Sequence, residues 1–130
     1  MMRAAGTIVL CGAVLATASP ALAEPIPRPT PQSTLRIIVT VKRGPTKAAL
    51  LTCDPDGGTH PAPAAACALL RKVNGDPAKL NVVPDPVCTD EYEPHAVLVR
   101  GRWRGRAVKW AHVYTNSCHM KAAGGAVFTL

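Results

Sequence analysis

The chain contains no Cys-x-x-Cys and no His-x3-His pair, although it has five cysteines and four histidines in 130 residues. Structural zinc sites draw their ligands from such short spacings, so a metal has no frame to occupy here. Usable serine is also scarce. Beyond residue 23 only Ser33 and Ser117 occur, and neither lies in a nucleophile motif. Three acids, Asp90, Glu91 and Glu93, share one short stretch. Neighbouring residues of an extended segment point apart, so these acids do not form a cooperating acid–base pair. The sequence therefore predicts no enzyme, no metal and no cofactor. It has no internal repeats, and no apolar run reaches the ~20 residues of a membrane span.

What is present begins with Met1-Met2-Arg3, an apolar run from Ala4 through Ala16, and Ala21-Leu22-Ala23 just before Glu24. A cationic start, a short apolar stretch and an Ala-x-Ala end read as a secretory signal peptide over 1–23, cleaved after Ala23. Cys11 would leave with it. Leu10 stands where a lipoprotein would want a small residue before that cysteine. The remaining 24–130 are 107 residues, enough for one small domain, and loss of Arg3 takes the net charge from +7 to +6. Cys53, Cys67, Cys88 and Cys118 survive. An even count in an exported chain argues for two disulfides, and spacing does not choose among the three pairings.

Residues 24–34 are proline-rich and read as a flexible tail, followed by a domain over 35–130. A β-branched run at 35–41 predicts a strand, with a turn at Gly44-Pro45 and a second strand over 47–52. The apolar residues of this region do not alternate cleanly, which suggests one face toward a core and the other toward a partner. Residues 53–61 read as a turn-dense loop and 63–73 as a helix stopped by Asn74-Gly75, with Cys67 and Leu70 facing inward. One further turn is expected near 76–80. Residues 96–103 and 106–114 form the best hairpin, with Val108, Trp110, His112 and Tyr114 on one side of its second arm. Asn116 caps a short helix through Ala123, and 126–130 reads as a last strand. The fold class is α+β: an antiparallel sheet of about five strands with two short helices.

Between the Pro-rich turn at 83–86 and the hairpin lies Val87-Cys88-Thr89-Asp90-Glu91-Tyr92-Glu93-Pro94, which reads as an exposed, stiffened loop held by a cysteine and ended by a proline. The string Cys53-x-Pro55-x-x-Gly58-x-His60-Pro61-x4-Ala66-Cys67-Ala68-x-Leu70 resembles the signature of the Streptomyces subtilisin inhibitor family of secreted serine-protease inhibitors. Cys88-x-x-x-Tyr92-x-Pro94, Gly101-x-Trp103-x-Gly105, Asn116-x-Cys118-x-Met120 and Val127-Phe128 are similar to the same family. The likeness covers about 35–130.

That resemblance implies sequential disulfides, Cys53–Cys67 and Cys88–Cys118, and a homodimer packed face to face through the sheet. It also implies that 87–94 is the reactive loop, with Asp90 and Glu91 on either side of the scissile bond and Val87, Cys88, Thr89, Tyr92 and Pro94 flanking them. Asn116, two residues before Cys118, is then expected to bond a loop carbonyl and hold the conformation. The expected partner is a serine endopeptidase, either subtilisin-like or one that accepts an acid at the cleavage position. Asp90 departs from the apolar or basic residue usual there, and an unpaired carboxylate in an apolar pocket is costly. A second reading is a secreted basic binding module of the same fold that has altered or lost inhibition. Arg100, Arg102, Arg104, Arg106 and Lys109, interleaved with Trp103 and Trp110, offer nucleic-acid chemistry. Alternate cations along a hairpin are more often a solvated face, so nucleic acid is disfavoured.

Overall fold

The computed structural model describes residues 6, 10–20 and 29–130. Most of the expected signal peptide and tail lie outside these residues, while 10–20 are irregular and exposed. No helix among the described residues is long and apolar enough to cross a membrane.

Five antiparallel strands form one sheet in the order β3-β2-β1-β4-β5: β1 Ser33–Val41, β2 Thr46–Cys53, β3 Gly57–Gly58, β4 His95–Trp103 and β5 Arg106–Tyr114. The first strand begins at Ser33, two residues before the expected domain boundary. Its burial alternates: Ser33, Leu35, Ile37 and Val39 are buried while Thr34, Arg36 and Thr40 are exposed. The register places Leu35, Ile37 and Val39 level with Leu51, Ala49 and Lys47 on one side and with Gly101, Val99 and Val97 on the other. One face of the sheet thus carries a continuous apolar layer, as the two-residue period of a strand requires.

Two helices cover that layer. Helix α1, Pro63–Lys72, has proline in its first turn, where the missing N–H costs nothing, and it buries Ala66, Cys67 and Leu70. It ends as the Gly75 N–H donates to the Leu70 carbonyl at 2.8 Å, with Asn74 and Gly75 both at positive φ. A short 3-10 turn, Pro77–Lys79, follows, capped by the Asp76 side chain accepting from the Ala78 N–H at 3.0 Å. Helix α2, Ser117–Gly124, is capped by Asn116 and buries Met120 and Ala122.

The chain end departs from the expected strand. Residues Gly125–Val127 form a 3-10 turn, and Val127 and Phe128 are buried in the core instead of joining the sheet. Gly124 makes this path available, because a Cβ there would lie 2.0 Å from the Phe128 ring. The fifth strand is instead Gly57–Gly58, within the segment read as a loop, paired with Leu51 and Thr52. His112 is exposed although it shares a side of β5 with Val108, Trp110 and Tyr114, which pack on the core edge. Trp110 stacks on the Phe128 ring at 5.6 Å between centroids.

His60 ties the first disulfide loop to the chain end. Its Nδ1 accepts from the Ala62 N–H at 3.0 Å, which leaves Nε2 to donate to the Val127 carbonyl at 3.1 Å. Arg71 of α1 reaches back to Asp56 and Asp54, and these hydrogen bonds, Asp56 first, raise the guanidinium pKa further. Gly75 makes a second close approach in the core, like that at Gly124. At φ +72° its missing Cβ leaves room for the Trp103 indole, whose Cγ would lie 2.1 Å from a methyl. Gly75→Ala combines that clash with an unfavourable φ, so we predict a loss of about 2 kcal/mol. Thermal unfolding of the oxidised protein checks it: the midpoint should fall by roughly 10 °C.

Candidate functional site

The segment 86–94 leaves the body of the protein without joining the sheet. Its entry is fixed where the N–H groups of Val82 and Val83 donate to the carbonyls of Ala123 and Ala122 at 3.0 and 2.7 Å. Asp85, at φ 51°, then turns the chain outward. Cys88 is bonded to Cys118 in the first turn of α2, and Cys53 to Cys67 across the other end of the domain. On the loop-entropy account each closure is worth ~3 kcal/mol, somewhat more for the longer one.

Val87 is fully exposed, Tyr92 is 75% exposed, and Asp90 and Glu91 point to solvent. Among the described residues no ion pair involves Asp90, Glu91 or Glu93. An exposed extended segment normally relaxes into many conformations, because no packing repays the ordering of its backbone. Here it is held from beneath by one side chain. Asn116, only 5% exposed, donates through Nδ2 to the carbonyls of Thr89 at 3.0 Å and Glu91 at 2.9 Å, which flank Asp90. Its Oδ1 accepts from the His119 N–H at 3.0 Å, capping α2. Three partners fix the amide orientation, because a flipped amide would oppose oxygen to both carbonyls.

The outgoing side of the loop is anchored by residues the sequence reading did not single out for this purpose. The Glu93 N–H donates to the Thr115 carbonyl at 2.8 Å, and the Lys42 N–H to the Pro94 carbonyl at 3.0 Å. Buried His95 lies with Nδ1 2.7 Å from the Glu93 carbonyl, so that nitrogen carries the proton and donates. Its place directly after Pro94, at the start of β4, was the available signal. Nearby Tyr114 has its phenol pKa pushed up by burial. The cluster of potential metal donors found among the described residues is Cys53, Asp56 and Cys67, and its two sulfurs are bonded to each other. The interleaved tryptophans do not present a stacking surface: Trp103 is buried and Trp110 turns toward the core.

This is a small disulfide-bonded domain built to hold one extended loop away from its surface with the backbone already ordered. Residues 32–116 match the subtilisin inhibitor-like family, to which the chain belongs. It is 41% identical to the subtilisin inhibitor of Streptomyces violaceus, over 94% of this chain and 87% of that protein. It is 42% identical to the subtilase-type protease inhibitor of Streptomyces coelicolor, over 72% and 70% respectively. Its fold matches a chain in the crystal structure of Streptomyces caespitosus sermetstatin in complex with Bacillus licheniformis subtilisin, with a TM-score of 0.59, 31% identity, and coverage of 75% of this chain and 98% of that one.

The two tasks of Asn116 separate by substitution. Asn116→Asp keeps an acceptor for the His119 N–H and removes both donors to the loop, whereas Asn116→Ala removes all three bonds. We predict that Asn116→Ala loses about 1–2 kcal/mol through the cap, while Asn116→Asp keeps more of that stability. Both variants should exchange the amide hydrogens of 89–93 at least tenfold faster than the parent. Denaturant unfolding and hydrogen exchange read the two effects independently.

Proposed function

We propose that this protein is a secreted inhibitor of serine endopeptidases that acts by offering 87–94 to the enzyme as a substrate strand, with the scissile bond between Asp90 and Glu91. The observation that carries this is the Asn116 clamp, whose two donors engage the carbonyls on either side of Asp90. An extended loop docks in a protease cleft as an added strand, with its main chain supplying most of the hydrogen bonds. Prior ordering of that backbone cuts the entropic cost of binding. The enzyme supplies nucleophile and oxyanion hole, and the inhibitor contributes no catalytic group.

After a cut, the two new ends stay in place: Cys88–Cys118 holds the Asp90 side, and the Glu93 and Pro94 contacts with Thr115 and Lys42 hold the Glu91 side. Held ends favour re-ligation over departure, so turnover is slow. The N-terminal features of 1–23 support export of the chain. The reading extends to a homodimer formed through the outer face of the sheet, whose half nearer the loop carries Ile38, Leu98, Ala96, Ala111 and Val113.

Asp90 sets the choice of enzyme. An apolar S1 pocket would desolvate an ionised carboxylate that has no partner, while a pocket carrying a cation would be matched by it. A module that binds elsewhere on the same fold is the second reading, favoured by the same exposed, unpaired acid. Titration against subtilisin, a trypsin-like protease and a Glu/Asp-preferring serine endopeptidase tests both, with mass spectrometry for a cut at Asp90–Glu91. Stoichiometric inhibition with slow cleavage is expected for the acid-preferring enzyme, and Asp90→Met should tighten binding to subtilisin at least tenfold. Digestion by all three without any slowing, and no response to Asp90→Met, would leave only the second reading.

A further inference from the structure

The outer face of the sheet is divided by charge. By register, the row Leu50, Arg36, Arg100 and Lys109 runs across β2, β1, β4 and β5, so three cations stand directly opposite one another on adjacent strands. The next row toward the β4–β5 turn adds Arg102 beside Thr34, Thr52 and Ala107. The two rows nearer the reactive loop are apolar or neutral: Ala48, Ile38, Leu98 and Ala111, then Thr46, Thr40, Ala96 and Val113. No acid occupies any of these sixteen positions. The nearby acids are committed elsewhere, Asp54 to Arg71 and Arg104 and Asp56 to Arg71. Like charges directly opposite on paired strands are unfavourable even in water.

Two copies meeting face to face are related by a two-fold axis lying between the sheets. If the axis runs along the strands, each cationic row faces its mate. If it runs across them at the centre of the face, each cationic row lands on the other copy's apolar rows. Either arrangement takes unpaired cations out of water. An offset pairing keeps them solvated but uses only the apolar rows. At ~4.8 Å between strands and ~6.8 Å per two residues, those rows cover on the order of 300 Å². A standard interface needs ~800 Å² from each partner. By the same measure all four rows cover on the order of 500 Å², so closure has to take in the cationic half, whose charge no residue of these rows neutralises.

Resting on the homodimer reading, we propose that the row Arg36–Arg100–Lys109 makes pairing of two copies dependent on anions from solution. Small anions, multivalent ones above all, neutralise the facing rows and allow the whole face to close. Sedimentation equilibrium of the oxidised protein tests this at low and high sodium chloride, and in sodium sulfate at matched ionic strength. The dimer dissociation constant should fall at least tenfold from low to high salt, and further in sulfate. A variant carrying Arg36→Thr, Arg100→Thr and Lys109→Thr should dimerise at low salt as tightly as the parent does at high salt, with most of the dependence gone. A parent dimer that is insensitive to salt, or as sensitive in the triple variant, overturns the anion dependence and leaves the homodimer standing. A folded triple variant that stays monomeric in every condition ends both.

Discussion

One amide holds the working geometry together. Asn116 sits at the first residue before α2, beside the disulfide that joins Cys118 to Cys88, and satisfies three backbone groups at once. Its Oδ1 meets a helix N–H that has no intrahelical partner, and its Nδ2 meets two carbonyls of a loop that has no strand to pair with. The loop therefore takes its shape from the helix end, and the helix end from the sheet and core beneath it. Burial of Asn116 matters in its own right, because a hydrogen bond shielded from water is stronger and dearer to break. The disulfide brings the two segments into register, and the amide then sets the backbone between Thr89 and Glu91.

Much of this was legible in the sequence, and the reasons are particular. The hairpin over 95–114 announced itself through β-branched and aromatic runs around a tight turn, and α1 through a proline at its start and Asn74-Gly75 at its end. The signature from Cys53 to Leu70 fixed the family resemblance, and with it the loop. The chain terminus was misread because Val127-Phe128 has the composition of a strand. Gly124 and Gly125 steer that pair into the core, where burial of two apolar side chains outweighs a short edge ladder. The Gly57–Gly58 strand carried no strand-like residue at all. It forms because the disulfide and the Arg71–Asp56 contact bring its backbone beside β2. His95 and Thr115 were silent because they act through burial and a main-chain carbonyl, which side-chain type does not reveal.

The charges are separated along the molecule. Four of the eight acids, Asp85, Asp90, Glu91 and Glu93, lie in or just before the loop, while Arg36, Arg100, Arg102 and Lys109 occupy the opposite half of the outer sheet face. A molecule of net charge +7 thus leads with a negative end. Such a distribution orients diffusional encounters, speeding approach to a cationic cleft and slowing approach to an anionic one. The fold is that of the family, and the charge pattern is laid over it by surface side chains that the core does not constrain.

On the proposed reading the loop keeps its shape even after the bond between Asp90 and Glu91 is cut. The most direct measurement starts from two samples, the intact protein and the protein cleaved between Asp90 and Glu91, each incubated with a catalytic amount of the protease it inhibits. Mass spectrometry then follows the ratio of intact to cleaved forms. Both samples should converge on one ratio with a substantial intact fraction, because Cys118 holds one end, Thr115 and Lys42 hold the other, and Asn116 bonds a carbonyl on each side of the cut. A cleaved sample that never regains the bond, and an intact one that proceeds to complete cleavage, would contradict it.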